Sequence, residues 1–179
     1  MIRLFVAISV PEMLRQRLSG LRGQIPGARW VRPENLHLTL RFLGDVDEDA
    51  ADDLDAALSR ITAPRLQVAL SGVGHFASRG QVRGLWAGVE PNDALEHLQT
   101  KVEITVQRAG MAPIGRRFHP HVTLARCNDT RVSRIDGFLA EHSGFRAPPF
   151  PVDAIDLYSS TLGREGAYYT REATYPLPD

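Results

Sequence analysis

The stretches His37-Leu38-Thr39-Leu40 and His121-Val122-Thr123-Leu124 decide how this chain folds, because they are two copies of one pattern set far apart in the sequence. Asp45 and Asp129 follow their respective histidines by the same eight positions. Two His-x-Thr-Leu strings would arise in only on the order of one shuffled chain in a few thousand, so chance explains them poorly. The sequence therefore predicts a duplicated structural unit.

Alternating apolar and polar residues predict that each copy lies on a β-strand, and the elements around the copies follow in similar order. Helices are expected from Pro11, from the acidic stretch at Asp47, over 95–109 and near 135–140. Asp93 and Glu96 form a candidate capping pair for the longest helix, which Gly110 is expected to end. Strands are predicted at 3–10, 36–40, 66–73, 85–89, 118–127, 155–157 and 168–173.

Length and composition indicate an ordinary globular protein. A chain of 179 residues fits one domain, or two small lobes that share a core. The formal net charge of zero excludes a global positive field for long nucleic acids, but it leaves room for a small phosphorylated ligand. Cys127 is the single cysteine, and the apolar N-terminal stretch is too short for a signal sequence or a membrane span, so a soluble, cytoplasmic protein is expected.

The repeated pattern combines a titratable ring with a hydroxyl. Side chains two apart on a strand face the same way, so His37 projects with Thr39, and His121 with Thr123. If the two strands meet across a cleft, one imidazole can take a proton from water while the other gives one to a leaving oxygen, and the hydroxyls can donate to phosphate oxygens. Such a site can hydrolyse a cyclic phosphodiester without a cofactor or a metal ion.

These residues resemble the two-histidine (2H) phosphoesterases, and within them the RNA 2′,3′-cyclic phosphodiesterases first named 2′-5′ RNA ligases. The segments that carry the resemblance are RLFVAI (3–8), LHLTLRFLGD (36–45), LWAGV (85–89), FHPHVTLAR (118–126) and LYSSTLGREGAYY (157–169). The resemblance implies an α+β fold of two pseudo-symmetric lobes within one domain, residues 1–179. Each lobe would be an antiparallel sheet with helices on the outside, and the lobes would face each other across a central cleft.

The resemblance also implies an activity, the hydrolysis of RNA 2′,3′-cyclic phosphate ends to 2′-phosphates. It makes His37 the proton donor and His121 the acceptor, although the spacing alone permits the reverse. The expected partners are RNA ends or nucleotides that carry a 2′,3′-cyclic phosphate. Neither a membrane nor an obligate protein partner is expected.

The resemblance further implies that the base beside the cyclic phosphate stacks between Phe42 and Arg126, each five positions after its histidine. Strict alternation would put both on the face opposite the histidines, so each strand must bulge or twist just past the motif. Otherwise Phe42 is a core residue and Arg126 pairs with a surface carboxylate such as Asp129.

Several alternatives remain open from the residues alone. The same site can support reversible 2′-5′ ligation, or it can bind an RNA end without turnover. His119 and His121, together with His37, are the residue types of a three-histidine metal site. Arg116 and Arg117 either steer phosphate into the cleft or lie in a solvated turn. Trp86 is predicted to be a core residue.

Overall fold

In a computed structural model that describes residues 1–178, ten strands and four α-helices form an α+β fold. The strands are β1 (Ile2–Ser9), β2 (Ala28–Trp30), β3 (His37–Val46), β4 (Leu66–Val68), β5 (Leu70–Ser78), β6 (Gln81–Val89), β7 (His121–Arg131), β8 (Phe150–Val152), β9 (Ala154–Gly163) and β10 (Gly166–Pro176). The helices are α1 (Glu12–Ser19), α2 (Glu48–Leu58), α3 (Asp93–Arg108) and α4 (Asp136–His142).

The strands pair antiparallel throughout, as the family resemblance implies. The large sheet runs in the order β10-β9-β1-β3-β7-β6-β5, and β2 pairs with β7. One half of it consists of β10, β9, β1 and β3, and the other of β7, β6, β5 and β2. The two halves join through the single pair Leu38 and Val122 of β3 and β7. A separate two-stranded sheet is formed by β4 and β8.

A single apolar core anchors the helices to the sheet. Leu95, Leu98, Val102 and Val106 of α3 are buried at helical spacing, and α2 presents Leu54 and Leu58 to the same cluster. The Asp47 side chain accepts a hydrogen bond from the Ala50 amide at 2.8 Å and so caps α2. Gly110, with φ of 105°, follows α3 and ends it as predicted.

The structure corrects three local predictions. The cap of α3 is Asn92, whose Oδ1 accepts from the Leu95 amide at 2.9 Å. Asn92 still has an extended backbone whereas Asp93 is already helical, so the capping side chain lies one residue earlier than expected. Pro11 likewise precedes α1 and is not its first residue. Residues 74–84, which separate the strands predicted at 66–73 and 85–89, are mostly strand, because β5 and β6 form a hairpin that turns at 79–80.

No helix within residues 1–178 is both long and apolar enough to cross a membrane.

Candidate active site

The two His-x-Thr motifs meet where the halves of the large sheet join. Leu38 and Val122 are paired across β3 and β7, and both are fully buried on the core side. Their neighbours along the strands therefore point to the opposite face, since side chains alternate. Folding thus brings both repeated motifs to one face of the sheet, at the junction of its two halves.

A β-bulge at the same position in each motif then changes which residues share that face. Leu40 has no residue opposite it on β1, and Leu124 has none opposite it on β6. The residue after each of these leucines, Arg41 or Ala125, is also buried. Two consecutive residues therefore face the core, and every later residue faces the side opposite to the one that strict alternation predicts. As a result Phe42, which is 51% exposed, lies on the same face as Thr39. Arg126 likewise lies on the same face as Thr123.

His37 is half-buried and closely surrounded. Its Nδ1 lies 2.6 Å from the carbonyl oxygen of Asn35, and its Nε2 lies 2.8 Å from the hydroxyl of Thr39. The ring stacks on Phe5 with 4.8 Å between centroids, and the edge contact with Tyr169 has a centroid distance of 5.3 Å. Backbone and aromatic contacts together hold the imidazole in one orientation.

His121 is held in the same way on β7. Its Nδ1 lies 2.6 Å from the carbonyl oxygen of His119, again the residue two positions before it. Phe76 contacts the ring edge-on with a centroid distance of 5.0 Å, and Trp86 lies behind at 6.1 Å. The repeated sequence is therefore also a repeated geometry.

These contacts fix the tautomer of both rings. A carbonyl oxygen only accepts hydrogen bonds, so Nδ1 must carry a proton in His37 and in His121. In the neutral ring Nε2 is then unprotonated and free to accept a proton. In His37 that nitrogen accepts from the Thr39 hydroxyl.

Burial lowers the pKa of both histidines. The pKa of His37 falls from 6.5 to about 4, mainly through desolvation, and the nearby positive charge of Arg126 adds to the effect. Desolvation also lowers the pKa of His121. The hydrogen bonds to Asn35 and His119 oppose these shifts. An anion bound between the rings would raise both pKa values, because it stabilises the protonated forms.

A cavity of about 580 Å³ opens over the junction. Thr39, Phe42, His121, Thr123 and Arg126 line it, and His37 adjoins it through the contact of its Nε2 with the Thr39 hydroxyl. Arg126 also lines a second cavity of about 70 Å³, which Tyr169 borders. Five of the six residues predicted for the site thus line one cleft, and His37 is held at its edge by Thr39.

Comparison with known proteins agrees with this arrangement. The family model for LigT-like phosphoesterases matches residues 8–86 and 88–169, and each segment contains one His-x-Thr motif. The chain belongs to this family. An RNA 2′,3′-cyclic phosphodiesterase of Aeropyrum pernix is 33% identical over 86% of this chain and 90% of its own. One from Thermotoga maritima is 31% identical over 93% of this chain and 91% of its own.

Solved structures of LigT-like proteins share the fold as well. E. coli LigT in complex with 3′-AMP matches with a TM-score of 0.81 at 28% identity and covers 99% of both chains. A Thermus thermophilus protein, TT0787, matches with a TM-score of 0.79 at 26% identity over 97% of both chains. The predicted α+β class with antiparallel sheets is therefore confirmed.

In this LigT-like protein the structure also adds residues that the sequence analysis missed. Phe5 and Tyr169 pack on His37, and they come from segments distant from it in sequence. Trp86, predicted to be core, is half-buried, and its ring contacts His119 at 4.9 Å between centroids. That prediction was wrong because Trp86 stands between the fully buried Leu85 and Ala87, so alternation places its ring on the opposite face of β6, beside the histidines.

A buried ion pair supports the bulge of β3. The guanidinium of Arg41, 4% exposed, donates to Glu103 of α3 at 2.7 Å and 3.1 Å. It also donates to the carbonyls of Phe42 and Ala112. Glu103 accepts in addition from the Ile114 amide, so one ion pair ties β3, α3 and the loop before β7 together. On β7 the corresponding position is occupied by Ala125, which cannot form an ion pair.

Two further alternatives can be compared with the geometry. Within residues 1–178 no three His, Cys, Asp or Glu side chains are grouped so that they could hold a metal ion, so His37 does not form such a group with His119 and His121. Arg126 forms no ion pair with Asp129 in this part of the chain, and its guanidinium faces the cleft instead.

Proposed function

We propose that this LigT-like protein hydrolyses 2′,3′-cyclic phosphate ends of RNA, or of nucleotides, to 2′-phosphates. The observation that carries the proposal is the matched setting of His37 and His121. Each donates from Nδ1 to the carbonyl two residues before it, so each directs Nε2 away from that backbone contact for proton transfer. The names of the relatives in Aeropyrum pernix and Thermotoga maritima support the choice of substrate.

The reaction needs one proton removed and one proton supplied. His121 accepts a proton from water as the water oxygen bonds to phosphorus. The bond from phosphorus to the ribose 3′ oxygen breaks on the opposite side, and His37 donates a proton to that oxygen. Each positioned transfer typically contributes about 10²–10⁴ in rate. The near symmetry of the motifs would also fit reversed roles, which the pH dependence of single variants can separate.

The protonation states follow from the electrostatics of the cleft. A donor must be charged, whereas a pKa of about 4 makes the His37 ring neutral at neutral pH. The phosphate anion supplies the opposing charge that raises this pKa, so substrate binding itself prepares the acid. On binding, the Thr39 hydroxyl turns from His37 Nε2 toward a non-bridging oxygen.

The remaining predicted residues receive binding roles. Thr39 and Thr123 donate to the non-bridging oxygens, where loss of one donor typically costs about 10²–10³ in rate. Phe42 and Arg126 hold the base between a ring and a guanidinium, an arrangement that is tolerant of base identity. The complex of E. coli LigT with 3′-AMP supports a nucleotide in this position.

The proposal treats residues 1–179 as one bilobal domain, because neither half carries both histidines. It also places the protein in the cytoplasm, where the lone thiol of Cys127 suits reducing conditions.

The test is product analysis by phosphorus NMR with a 2′,3′-cyclic nucleotide in the presence of a chelator. We expect a 2′-phosphate product, and we expect His37→Ala and His121→Ala each to lower turnover at least about a hundredfold. The control is His97→Ala on the exposed side of α3. Near wild-type turnover in either site variant, or a 3′-phosphate product, would refute the proposal.

A further inference from the structure

The outer wall of the large cavity has no part in the proton transfers described above. It is formed by Arg83 of β6, by Arg116 and Arg117 in the loop between α3 and β7, and by the apolar side chains of Ile114 and Phe118. The whole cavity, at about 580 Å³, lies in the middle of the roughly 300–1,000 Å³ that ligand pockets span, so it is far larger than one phosphate group requires.

The three arginines of this wall lack partners. Arg83, Arg116 and Arg117 are exposed, and none of them forms an ion pair or a side-chain hydrogen bond within residues 1–178. Within this described part, Glu103 is the one carboxylate that lines the cavity, and Arg41 neutralises it. A protein with no net charge thus gathers uncompensated positive charge on one concave surface.

The loop that carries two of these arginines is attached firmly at its start. The Met111 amide donates to the Val106 carbonyl at 3.0 Å, and the Ile114 amide donates to Glu103 at 3.4 Å. The Ala112 carbonyl accepts from Arg41. These contacts keep the loop beside the cavity, so its guanidinium groups are held near an incoming ligand before it binds.

From these observations we infer a second anion subsite, formed by Arg83, Arg116 and Arg117, for the phosphodiester that links the terminal nucleotide to its neighbour. Planar guanidinium groups match phosphate oxygens in pairs. The neighbouring Phe76 and Phe118 supply ring surfaces, and cations beside aromatic rings are the usual features of a groove for single-stranded nucleic acid. The inference rests on the proposed function and narrows its substrate class to oligonucleotide ends.

The test compares kcat/KM for three substrates that share the same terminal group. They are adenosine 2′,3′-cyclic phosphate, a triadenylate ending in the cyclic phosphate, and the same triadenylate with neutral methylphosphonate linkages. We expect the wild-type protein to prefer the charged triadenylate over the mononucleotide by at least about tenfold, and to lose that preference with neutral linkages.

The variant R116A/R117A should abolish the preference while it changes hydrolysis of the mononucleotide less than about threefold. It should also flatten the salt dependence of log kcat/KM for the triadenylate by about 0.7 for each phosphate that the variant no longer neutralises. The matched control is R60A/R134A, which removes two exposed arginines that line neither cavity and should keep the preference.

The outcomes separate the two levels of the argument. A wild-type protein without a length preference, a preference that survives in R116A/R117A, or one that survives with neutral linkages overturns the subsite and leaves the proposed function standing. Absence of hydrolysis with both the mononucleotide and the charged triadenylate overturns the proposed function, and the subsite with it.

Discussion

Replacing His37 by Asn should remove much of the loss of stability that this protein undergoes in acid. Burial lowers the pKa of His37 from 6.5 to about 4 in the folded state. Between these values the unfolded chain binds a proton that the folded chain does not bind, so stability falls as the pH falls below about 6.5 and the effect levels off near 4. At ~1.4 kcal/mol per pKa unit, the histidine contributes a loss of about 3 kcal/mol.

Urea unfolding followed by tryptophan fluorescence measures this effect. The free energy of unfolding of the wild type, His37→Asn and the exposed-site control His97→Asn would be compared at pH 7 and pH 4.5. Asparagine can still donate to the Asn35 carbonyl, but it does not titrate. The variant starts less stable because no imidazole stacks on Phe5, and its stability then declines less with acid. Equal declines in the two variants would show that burial of His37 does not set its pKa.

Three further predictions concern catalysis and packing. Because burial lowers the pKa of both histidines and only the singly protonated pair is productive, kcat/KM for a cyclic nucleotide should fall about tenfold from pH 7 to pH 8, and a flat profile would count against histidine as the proton carrier. Phe42→Ala or Arg126→Ala should raise KM roughly 5- to 150-fold with kcat nearly unchanged, since stacking contributes about 1–3 kcal/mol per base; a fall in kcat alone would contradict this role. In Gly74→Ala the new Cβ would overlap the ring of Trp86, so thermal unfolding should show about 1–3 kcal/mol of destabilisation and kcat should drop. The control Gly23→Ala places its Cβ in open space and should change stability little.

The strand periodicity of the sequence was sufficient to predict which side chains of each motif share a face. His37 and Thr39 share a face, as alternation requires, and the pairing of Leu38 with Val122 makes that face common to both motifs. The two His-x-Thr-Leu strings were informative because the segments that carry them also adopt similar structures. The symmetry of the repeat does not distinguish proton donor from proton acceptor, so those roles follow from the family resemblance.

The sequence alone could not locate the bulges. Alternation through Leu40 predicts that Arg41 faces the cleft and that Phe42 is buried, and only the resemblance suggested otherwise. The charge of the almost fully buried Arg41 is compensated by Glu103, sixty-two positions away, which accepts two of its hydrogen bonds. A contact between residues so distant in sequence leaves no local pattern.

The aromatic surroundings of the histidines were missed for the same reason. Phe5 and Tyr169 reach His37 from opposite ends of the chain, and Trp86 reaches His119 from a neighbouring strand. Each of these residues is, by its local sequence, an ordinary strand position. Their effect on the pKa values of the site exists only after tertiary packing, so it cannot be derived from spacing.

The two halves of the large sheet meet at the pair Leu38 and Val122, whose side chains are buried in the core. The positions of His37 and His121 are therefore linked to the packing of the protein interior. One residue pair fixes the register of the two halves, and the hydrocarbon side chains packed beneath the sheet hold the halves together. The relative position of His37 and His121 therefore depends on side chains below the sheet. Evolution could alter turnover in this protein through substitutions that never touch the substrate.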